Sequence, residues 1–201
     1  MKSKPLIAII YNFFNSLSLA TIATIVISYP LLALFTLGQK NYLIVYQSIP
    51  SIMYAYGQLL IYLLWPFSTK LQMRNFPTSV SAAEHFYECK LLFSLALIVF
   101  IIGLIIYLYL KRRKKVGYIA LTKNEAIFFM ILPIILLPLA LTNFDEFFIS
   151  FHQMIFHNNN WLFDPNTDPI INVLTENFFA ACFAVAGIVY EMYYSRYLFS
   201  K

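Results

Sequence analysis

This chain of 201 residues contains only three histidines, and their side chains are the ones best suited to acid–base chemistry. His85 precedes an apolar run at 91–110, whereas His152 and His157 lie in an aromatic segment between two later apolar runs. Imidazole transfers protons near neutral pH because its ordinary pKa is about 6.5. The placement of the three histidines beside apolar runs predicts a site at one membrane face, where the reacting group belongs to a lipid.

The residue pattern supports a metal site or a serine nucleophile less than it supports histidine acid–base chemistry. His85 and Glu88 form His-x-x-Glu, which two further histidines could complete as a zinc site. However, the zinc-protease pattern His-Glu-x-x-His, its inverse, and the nucleophile pattern Gly-x-Ser-x-Gly are all absent from the sequence. Cys89 and Cys182 provide neither a disulfide framework nor metal-ligand spacing. We therefore expect no metal site.

The composition indicates an integral membrane protein. Hydrophobic residues make up 61% of the chain and charged residues only 11%, whereas soluble domains have about 25% charged residues. The basic excess does not indicate nucleic-acid binding, because most basic residues lie beside apolar runs. We expect a single all-α membrane domain, 1–201, consisting of a four-helix bundle with short interfacial or extracellular helices.

Four runs are apolar and long enough to cross a bilayer, which requires about 20 residues of helix. These predicted spans are approximately 6–29, 91–110, 124–142 and 172–194. The remaining segments are two outer ones, 38–90 and 143–171, and a basic cytoplasmic loop, 111–123.

Basic residues predict the orientation of the bundle. If both termini are cytoplasmic, ten of the 14 Lys and Arg residues lie inside, as the positive-inside rule expects. Lys2, Lys4, Lys201 and the run 111–115 contribute most of this excess. The sequence thus predicts a multi-pass protein of the cell membrane with its histidines on the extracellular side.

The segment 42–66 is nearly apolar enough to form a fifth span. Pro50 and Gly57 interrupt it, and its tyrosines favour the membrane interface. A fifth span would also force either the N-terminus or the run 111–115 to face outward. We therefore expect two short helices resting on the outer leaflet.

A capping signal places His85 on a helix. Ser81 followed by Glu84 is a capping-box pattern, which predicts a helix from Ala82 with His85 in its first turn. The positive helix end disfavours imidazolium at His85, whereas Glu84 and Glu88 favour it. The sequence does not decide between these opposing effects.

A second short helix, at about 144–157, is expected to carry His152. Because its other side chains are largely apolar, His152 must find a partner or meet water, since burying an unpaired polar group costs about 1–3 kcal/mol. His157 lies at the end of this helix, where a histidine often serves only as a cap.

Three stretches resemble the lipoprotein intramolecular transacylase (Lit) family, small four-span membrane proteins of Gram-positive bacteria. The strongest is FHQMIFHNNNWLFDPNTDPII at 151–171, which continues to TENFF at 175–179. The others are YGQLLIYL at 56–63 and SAAEHFYECK at 81–90. Thr175 departs from the family pattern, which has proline before the glutamate.

The resemblance implies transfer of the sn-2 acyl chain of a diacylglyceryl lipoprotein to the α-amine of its N-terminal cysteine, which leaves a lyso-form lipoprotein. Donor and acceptor are one molecule, so the family uses no acyl-CoA or other cofactor. The essential histidines are implied to be His85 and either His152 or His157. The expected partners are diacylglyceryl lipoproteins and membrane lipid, without nucleic acid, and we expect a monomer.

Six other side chains are predicted to bind the substrate or to stabilise its charges. Amide and indole N–H groups could donate to the tetrahedral oxyanion, and a glutamate could orient an imidazole or hold the substrate ammonium. The candidates are Glu84, Glu88, Asn158, Asn159, Trp161 and Asp164. A metal-dependent membrane hydrolase and a non-enzymatic membrane scaffold remain as alternatives.

Overall fold

The computed structural model describes residues 6–199, apart from the side chains of 136–141. Lys2, Lys4 and Lys201, which enter the orientation prediction, lie outside the described residues. The all-α class is confirmed, because the described chain forms seven α-helices, two short 3-10 helices and one isolated bridge between Met73 and Phe76. The helices are α1 (Leu6–Gln39), α2 (Asn41–Ile44), α3 (Ile49–Leu64), α4 (Val80–Arg112), α5 (Lys123–Thr142), α6 (Phe144–Ile155) and α7 (Glu176–Ser195).

Among the described residues, three helices are long and apolar enough to cross a membrane: α1, α4 and α7. α1 and α4 have 34 and 33 residues, so each is longer than the roughly 20 residues that span a bilayer. In α4 the additional residues, 80–90, precede the apolar run and carry His85. α5 occupies the predicted span 124–142, and its membrane crossing stays a prediction.

Two helices have ends that differ from those of the predicted spans. α1 continues past Pro30 to Gln39, although proline costs a helix interior about 3 kcal/mol. Packing offsets this cost: Leu32 is fully buried, and the hydroxyl of Tyr56 donates to Ser28 Oγ at 2.7 Å. α7 begins at Glu176 rather than at 172, because the side chain of Thr175 caps the helix by accepting from the backbone N–H of Phe178.

The segment 42–66 contains two short helices, α2 and α3, as predicted. Pro50 lies in the first turn of α3, where its missing N–H costs no helical hydrogen bond, and Ser48 caps the helix. Gly57 does not interrupt α3, contrary to expectation, since a single glycine costs a helix only about 1 kcal/mol. Instead α3 packs against α1 and α4; its position on a leaflet stays a prediction.

Two hydrophobic clusters stabilise opposite ends of the bundle. The first joins α1, α3, α4 and α7 around Leu32, Phe86 and Phe178, next to the segment that carries the histidines. The second joins α1, α5 and α7 around Phe129 and Tyr194. α1 is the central element, because it contributes to both clusters and contacts α3, α4 and α7. It therefore links the histidine end to the opposite end.

Candidate active site

The N-terminus of α4 positions His85. Ser79 caps the helix, since its Oγ accepts from the N–H of Ala82 at 3.1 Å, and α4 begins at Val80. The prediction of a helix start at Ala82 capped by Ser81 is therefore wrong by two residues. The reason is a tertiary contact: the backbone N–H of Ser79 donates to Asp168 Oδ1 at 2.6 Å and fixes the cap. His85 consequently lies in the second turn.

His85 and His152 meet inside an aromatic cluster. Their ring centroids are 5.7 Å apart, and the residues are only 7% and 8% exposed. Phe156 contacts His85 edge-on at 4.6 Å between centroids, and Trp161 lies 4.9 Å from His152. α4 and the last turn of α6 thus bring two histidines of distant sequence position together in a site largely screened from water.

The hydrogen bond of His152 defines its tautomer. Nδ1 lies 2.8 Å from the backbone carbonyl oxygen of Phe148, one helical turn earlier. A carbonyl oxygen only accepts, so Nδ1 carries the proton and Nε2 carries the lone pair of the neutral ring. Within the described residues Nε2 forms no hydrogen bond. His152 therefore presents a basic nitrogen at Nε2.

Burial keeps both imidazoles neutral. Desolvation lowers the pKa of His85 to about 4, and the neighbouring His152 contributes in the same direction. Desolvation also lowers the pKa of His152, opposed by its hydrogen bond to the Phe148 carbonyl. Burial thus outweighs the effect of the two glutamates, which favour the charged imidazolium. A helix end acts mainly within the first turn, which ends before His85.

Two atoms at the site lack hydrogen-bond partners. His85 Nδ1 and Glu88 Oε2 are both buried, and neither has a partner within the described residues. They lie 3.9 Å apart, which is too far for a hydrogen bond. A polar group of a substrate placed between them would satisfy both atoms.

Cys89 is the only thiol in contact with the pair within the described residues, with Sγ 3.5 Å from His85 Nε2. Burial raises the pKa of this thiol to about 12, and the charge of Glu88 acts in the same direction. The thiolate is the nucleophilic form, so Cys89 is poorly suited to form an acyl-enzyme.

Two glutamate–asparagine hydrogen bonds attach the loop after α6 to α4. Asn158 Nδ2 donates to Glu88 Oε1 at 2.7 Å, and Asn160 Nδ2 donates to Glu84 Oε2 at 2.9 Å. Trp161 Nε1 donates to the carbonyl of Asn158 at 3.0 Å. The single indole donor is thus occupied within the fold, and the Trp161 ring packs against His152.

Three predicted site residues are not brought to the histidine pair. His157 is exposed and follows Phe156, which is the C-terminal cap of α6, so His157 is not that cap. Asn159 is also exposed. Asp164 is exposed and stabilises a turn, since its Oδ1 accepts from the N–H of Asn166 at 2.9 Å.

Three polar residues near the site were missed by sequence reasoning. Asn160 binds Glu84, and Asp168, only 3% exposed, accepts from Ser79 and from Thr167 Oγ1. Lys90 is 5% exposed; its ammonium donates to the Ser68 carbonyl and lies over the Tyr62 ring. The partners of Asp168 and Asn160 lie far away in the chain, so local patterns gave no signal. Among the described residues no cluster of three metal-ligating side chains occurs.

Comparisons with known proteins identify one family. The sequence model of the family described as lipoprotein intramolecular transacylase Lit matches residues 6–179. Curated proteins give no significant match.

Similar solved structures include the membrane integral lipoprotein intramolecular transacylase Lit from Bacillus cereus, with a TM-score of 0.80 and 23% identity over 96% of this chain and 91% of that chain. Two further structures of that protein carry the mutation H85R or H85A in its own numbering. Both have a TM-score of 0.67 and 24% identity over 96% of this chain, and cover 90% and 91% of those chains. At these identities the solved structures establish the shared fold, whereas the family match covers most of the sequence. The chain therefore belongs to the lipoprotein intramolecular transacylase Lit family, and it is a membrane acyltransferase.

Proposed function

We propose that this chain moves the sn-2 acyl chain of a diacylglyceryl lipoprotein to the α-amine of its N-terminal cysteine, with His85 and His152 as the acid–base pair. The observation that carries the proposal is the meeting of two buried, neutral imidazoles, with ring centroids 5.7 Å apart. A neutral imidazole has one N–H and one lone pair, so each ring can both give and accept a proton.

The reaction requires one proton to move from nitrogen to oxygen. The amine attacks the ester carbonyl, a C–N bond forms, the C–O bond to glycerol breaks, and the glycerol oxygen takes up the proton that the amine releases. His152 Nε2 accepts the amine proton because it carries a lone pair and has no hydrogen bond within the described residues. His85 lies beside it, supplies a proton to the leaving oxygen and regains one from the His152 imidazolium, so that both rings return to the neutral form.

Glu88 holds the substrate amine before reaction. An α-amine has a pKa of about 8, so much of it is protonated at neutral pH. The unpartnered Oε2 of Glu88 faces the unpartnered Nδ1 of His85, and an ammonium between them would pair with the carboxylate. Of the remaining candidates, Asn158 is the best placed to donate to the oxyanion, because its side chain already contacts Glu88.

The buried aromatic site favours transfer to the amine over hydrolysis. Phe156 and Trp161 are 7% and 8% exposed and pack on the two imidazoles, so little room remains for free water. Donor ester and acceptor amine are tethered in one substrate, and holding them in the reactive geometry lowers the barrier by several kcal/mol. No acyl-CoA takes part.

We further propose that the histidine end faces the outside of the cell and that both termini face the cytoplasm. The basic run 111–115 consists of the last two residues of α4 and the three that follow, and so lies at the end of the bundle opposite His85. A basic cluster next to a span favours the cytoplasmic side. The enzyme acts as a single chain on this proposal.

Mass spectrometry of a lipoprotein N-terminal peptide tests the activity. Cells that express this chain should yield a lyso-form peptide with unchanged total acyl content, and cells that express His85→Ala at the same level should not. An unchanged diacylglyceryl peptide with well-expressed wild type would refute the transfer. Loss of one acyl chain would identify a hydrolase instead.

A further inference from the structure

A cavity lies at the end of the bundle opposite the histidines. It has a volume of about 390 Å³ and is enclosed by α1, α4, α7 and the segment that follows α4. Its inner wall is apolar, with Leu19, Phe100 and Leu104. Its outer wall is polar and includes Tyr107 and Arg196. The cavity is thus amphipathic, with its charged end toward the basic end of the bundle.

Arg196 is held rigidly at the polar end of this cavity. Its guanidinium lies 3.9 Å from the ring centroid of Tyr193 and 4.8 Å from that of Tyr197. Nη2 donates to the Tyr197 hydroxyl at 3.0 Å and lies 3.5 Å from Asn12 Oδ1. Asn12 is itself fixed, because it is fully buried and donates to the carbonyl of Ile119 at 2.7 Å. The guanidinium is therefore oriented before any ligand binds.

The charge of Arg196 has no anionic partner within residues 6–199. Within the described residues no carboxylate contacts this guanidinium, and the one histidine–carboxylate contact, between His85 and Glu88, lies at the other end of the molecule. The guanidinium has five N–H groups, and its described hydrogen bonds, to Asn12 and to neighbouring tyrosines, use only some of them. Aromatic stacking stabilises the cation but neutralises none of its charge.

The surroundings of the cavity add further positive charge. The basic run 111–115 begins in the last turn of α4, and the ammonium of Lys111 lies 5.9 Å from the ring centroid of Tyr107, which lines the cavity. The nearest acidic residue on α5, Glu125, is engaged by Thr122, since its carboxylate accepts from the N–H and hydroxyl of that residue. The entrance is therefore cationic.

We propose that this cavity binds an anionic phospholipid of the adjoining leaflet. The phosphate pairs with the guanidinium of Arg196, and Lys111 adds attraction at the entrance. One acyl chain follows the apolar wall formed by Leu104, Phe100 and Leu19. Basic pockets between membrane helices commonly hold anionic lipid head groups, and guanidinium binds phosphate through two parallel hydrogen bonds. The site lies at the opposite end from the histidine pair and requires no part of the acyl-transfer chemistry.

Native mass spectrometry of the purified full chain in detergent tests the proposal, with phosphatidylglycerol and phosphatidylcholine of identical acyl chains as probes. The wild type should retain one phosphatidylglycerol in preference to phosphatidylcholine. Arg196→Gln should weaken this retention about tenfold, because hydrogen bonds to a charged group contribute about 1.5–3 kcal/mol. Arg112→Gln is the matched control, since it removes the same charge from an exposed position at the same end, outside the cavity lining.

Two further measurements address the remaining outcomes. Leu104→Trp fills the cavity while keeping Arg196, and it should also reduce phosphatidylglycerol retention. This variant tests the site even if Arg196→Gln fails to fold. Glycerol phosphate without acyl chains should bind far more weakly than the lipid. Any of four results would overturn the proposal. These are equal retention of the two lipids by the wild type, an equal loss of retention in Arg112→Gln, no loss in Leu104→Trp, and binding of glycerol phosphate as strong as that of the lipid.

Discussion

His152 differs from His157 in its surroundings rather than in its sequence context. Both lie in the same aromatic segment, five positions apart, and both fit the motif that resembles the family. His152 is buried on α6, bonded to the Phe148 carbonyl and stacked near His85. His157 is exposed in the following loop. The partner of His85 is therefore determined by where α6 ends.

We predict that His152→Ala lowers the transfer rate by about 100-fold or more, the usual contribution of a general acid or base. His157→Ala should retain nearly full activity because its ring is exposed. The rate of lyso-form production by purified variants, measured with a synthetic diacylglyceryl peptide, provides the comparison. The opposite ranking of these two variants would show that His157 is the second essential histidine.

The pH dependence of the transfer rate should follow protonation of the substrate amine rather than protonation of the two histidines. The pKa of His85 is about 4, so this ring stays neutral as the pH falls from 8 toward 6, and the lowered pKa of His152 makes that ring harder to protonate than an ordinary imidazole. The substrate amine, with a pKa of about 8, gains its proton over that interval and loses its nucleophilic lone pair. We expect the rate to rise with pH and to level off above the pKa of the amine.

A substrate analogue with a less basic terminal amine distinguishes titration of the substrate amine from titration of a histidine. Its rate profile should shift to lower pH by the difference between the two amine pKa values. A midpoint near 6.5 that is the same for both substrates would contradict the neutral-histidine arrangement, because it would report an imidazole of ordinary pKa.

At the scale of elements, α4 and the loop after α6 stabilise each other through polar contacts. Glu84 and Glu88, one helical turn apart, each accept from an asparagine of the loop. The two glutamates differ in one respect: only Glu88 also has a buried, unpartnered oxygen, which faces His85. They therefore form a matched pair for mutation.

Glu88→Gln should lower the transfer rate about tenfold or more, because a charge-assisted hydrogen bond to the substrate ammonium contributes about 1.5–3 kcal/mol. The glutamine oxygen can still accept from Asn158, so the melting temperature should change little. Glu84→Gln is the control and should change neither quantity appreciably. Equal loss of activity in both variants would mean that the glutamates only hold the loop.

Asp168 connects the second half of the chain to the start of α4. It is 3% exposed, and its two oxygens accept from Ser79 and Thr167. Asp168→Ala leaves the Ser79 N–H without its partner and should destabilise the fold by about 1–3 kcal/mol. Thermal unfolding in detergent measures this change, and Asp164→Ala, an exposed turn carboxylate, should shift the melting temperature less. Equal shifts would contradict a role for the buried contact.

These contacts explain which local predictions were correct. The two-helix division of 42–66 was predictable because Pro50 favours the first turn of a helix, and α3 begins one residue before it, after the extended cap residue Ser48. The start of α4 was not, because the cap depends on Asp168, a contact distant in sequence. Pro30 and Gly57 were misjudged for a related reason, since packing of α1 against α3 outweighs the propensity cost of each residue.

At the scale of the whole molecule, hydropathy and charge predict the spans and the side of the membrane that each end of the bundle faces. They do not identify the site. The neutrality of His85 arises from burial by Phe156 and His152, which come from the distant helix α6 and the residue that follows it. Sequence thus predicted the kind of residue that reacts, while tertiary packing determines the protonation state and the partner of each one.

The orientation of the bundle yields a prediction for intact cells. Leu162, near the histidines, and Tyr118, near the basic run, are almost equally exposed at 60% and 61%. A membrane-impermeant maleimide should label Leu162→Cys in intact cells and Tyr118→Cys only after permeabilisation. The wild type should give little background, because the raised pKa of Cys89 leaves almost no thiolate and Cys182 lies within α7. The reverse labelling pattern would place the histidines in the cytoplasm, and the lipoprotein amine would then have to be acylated on that side.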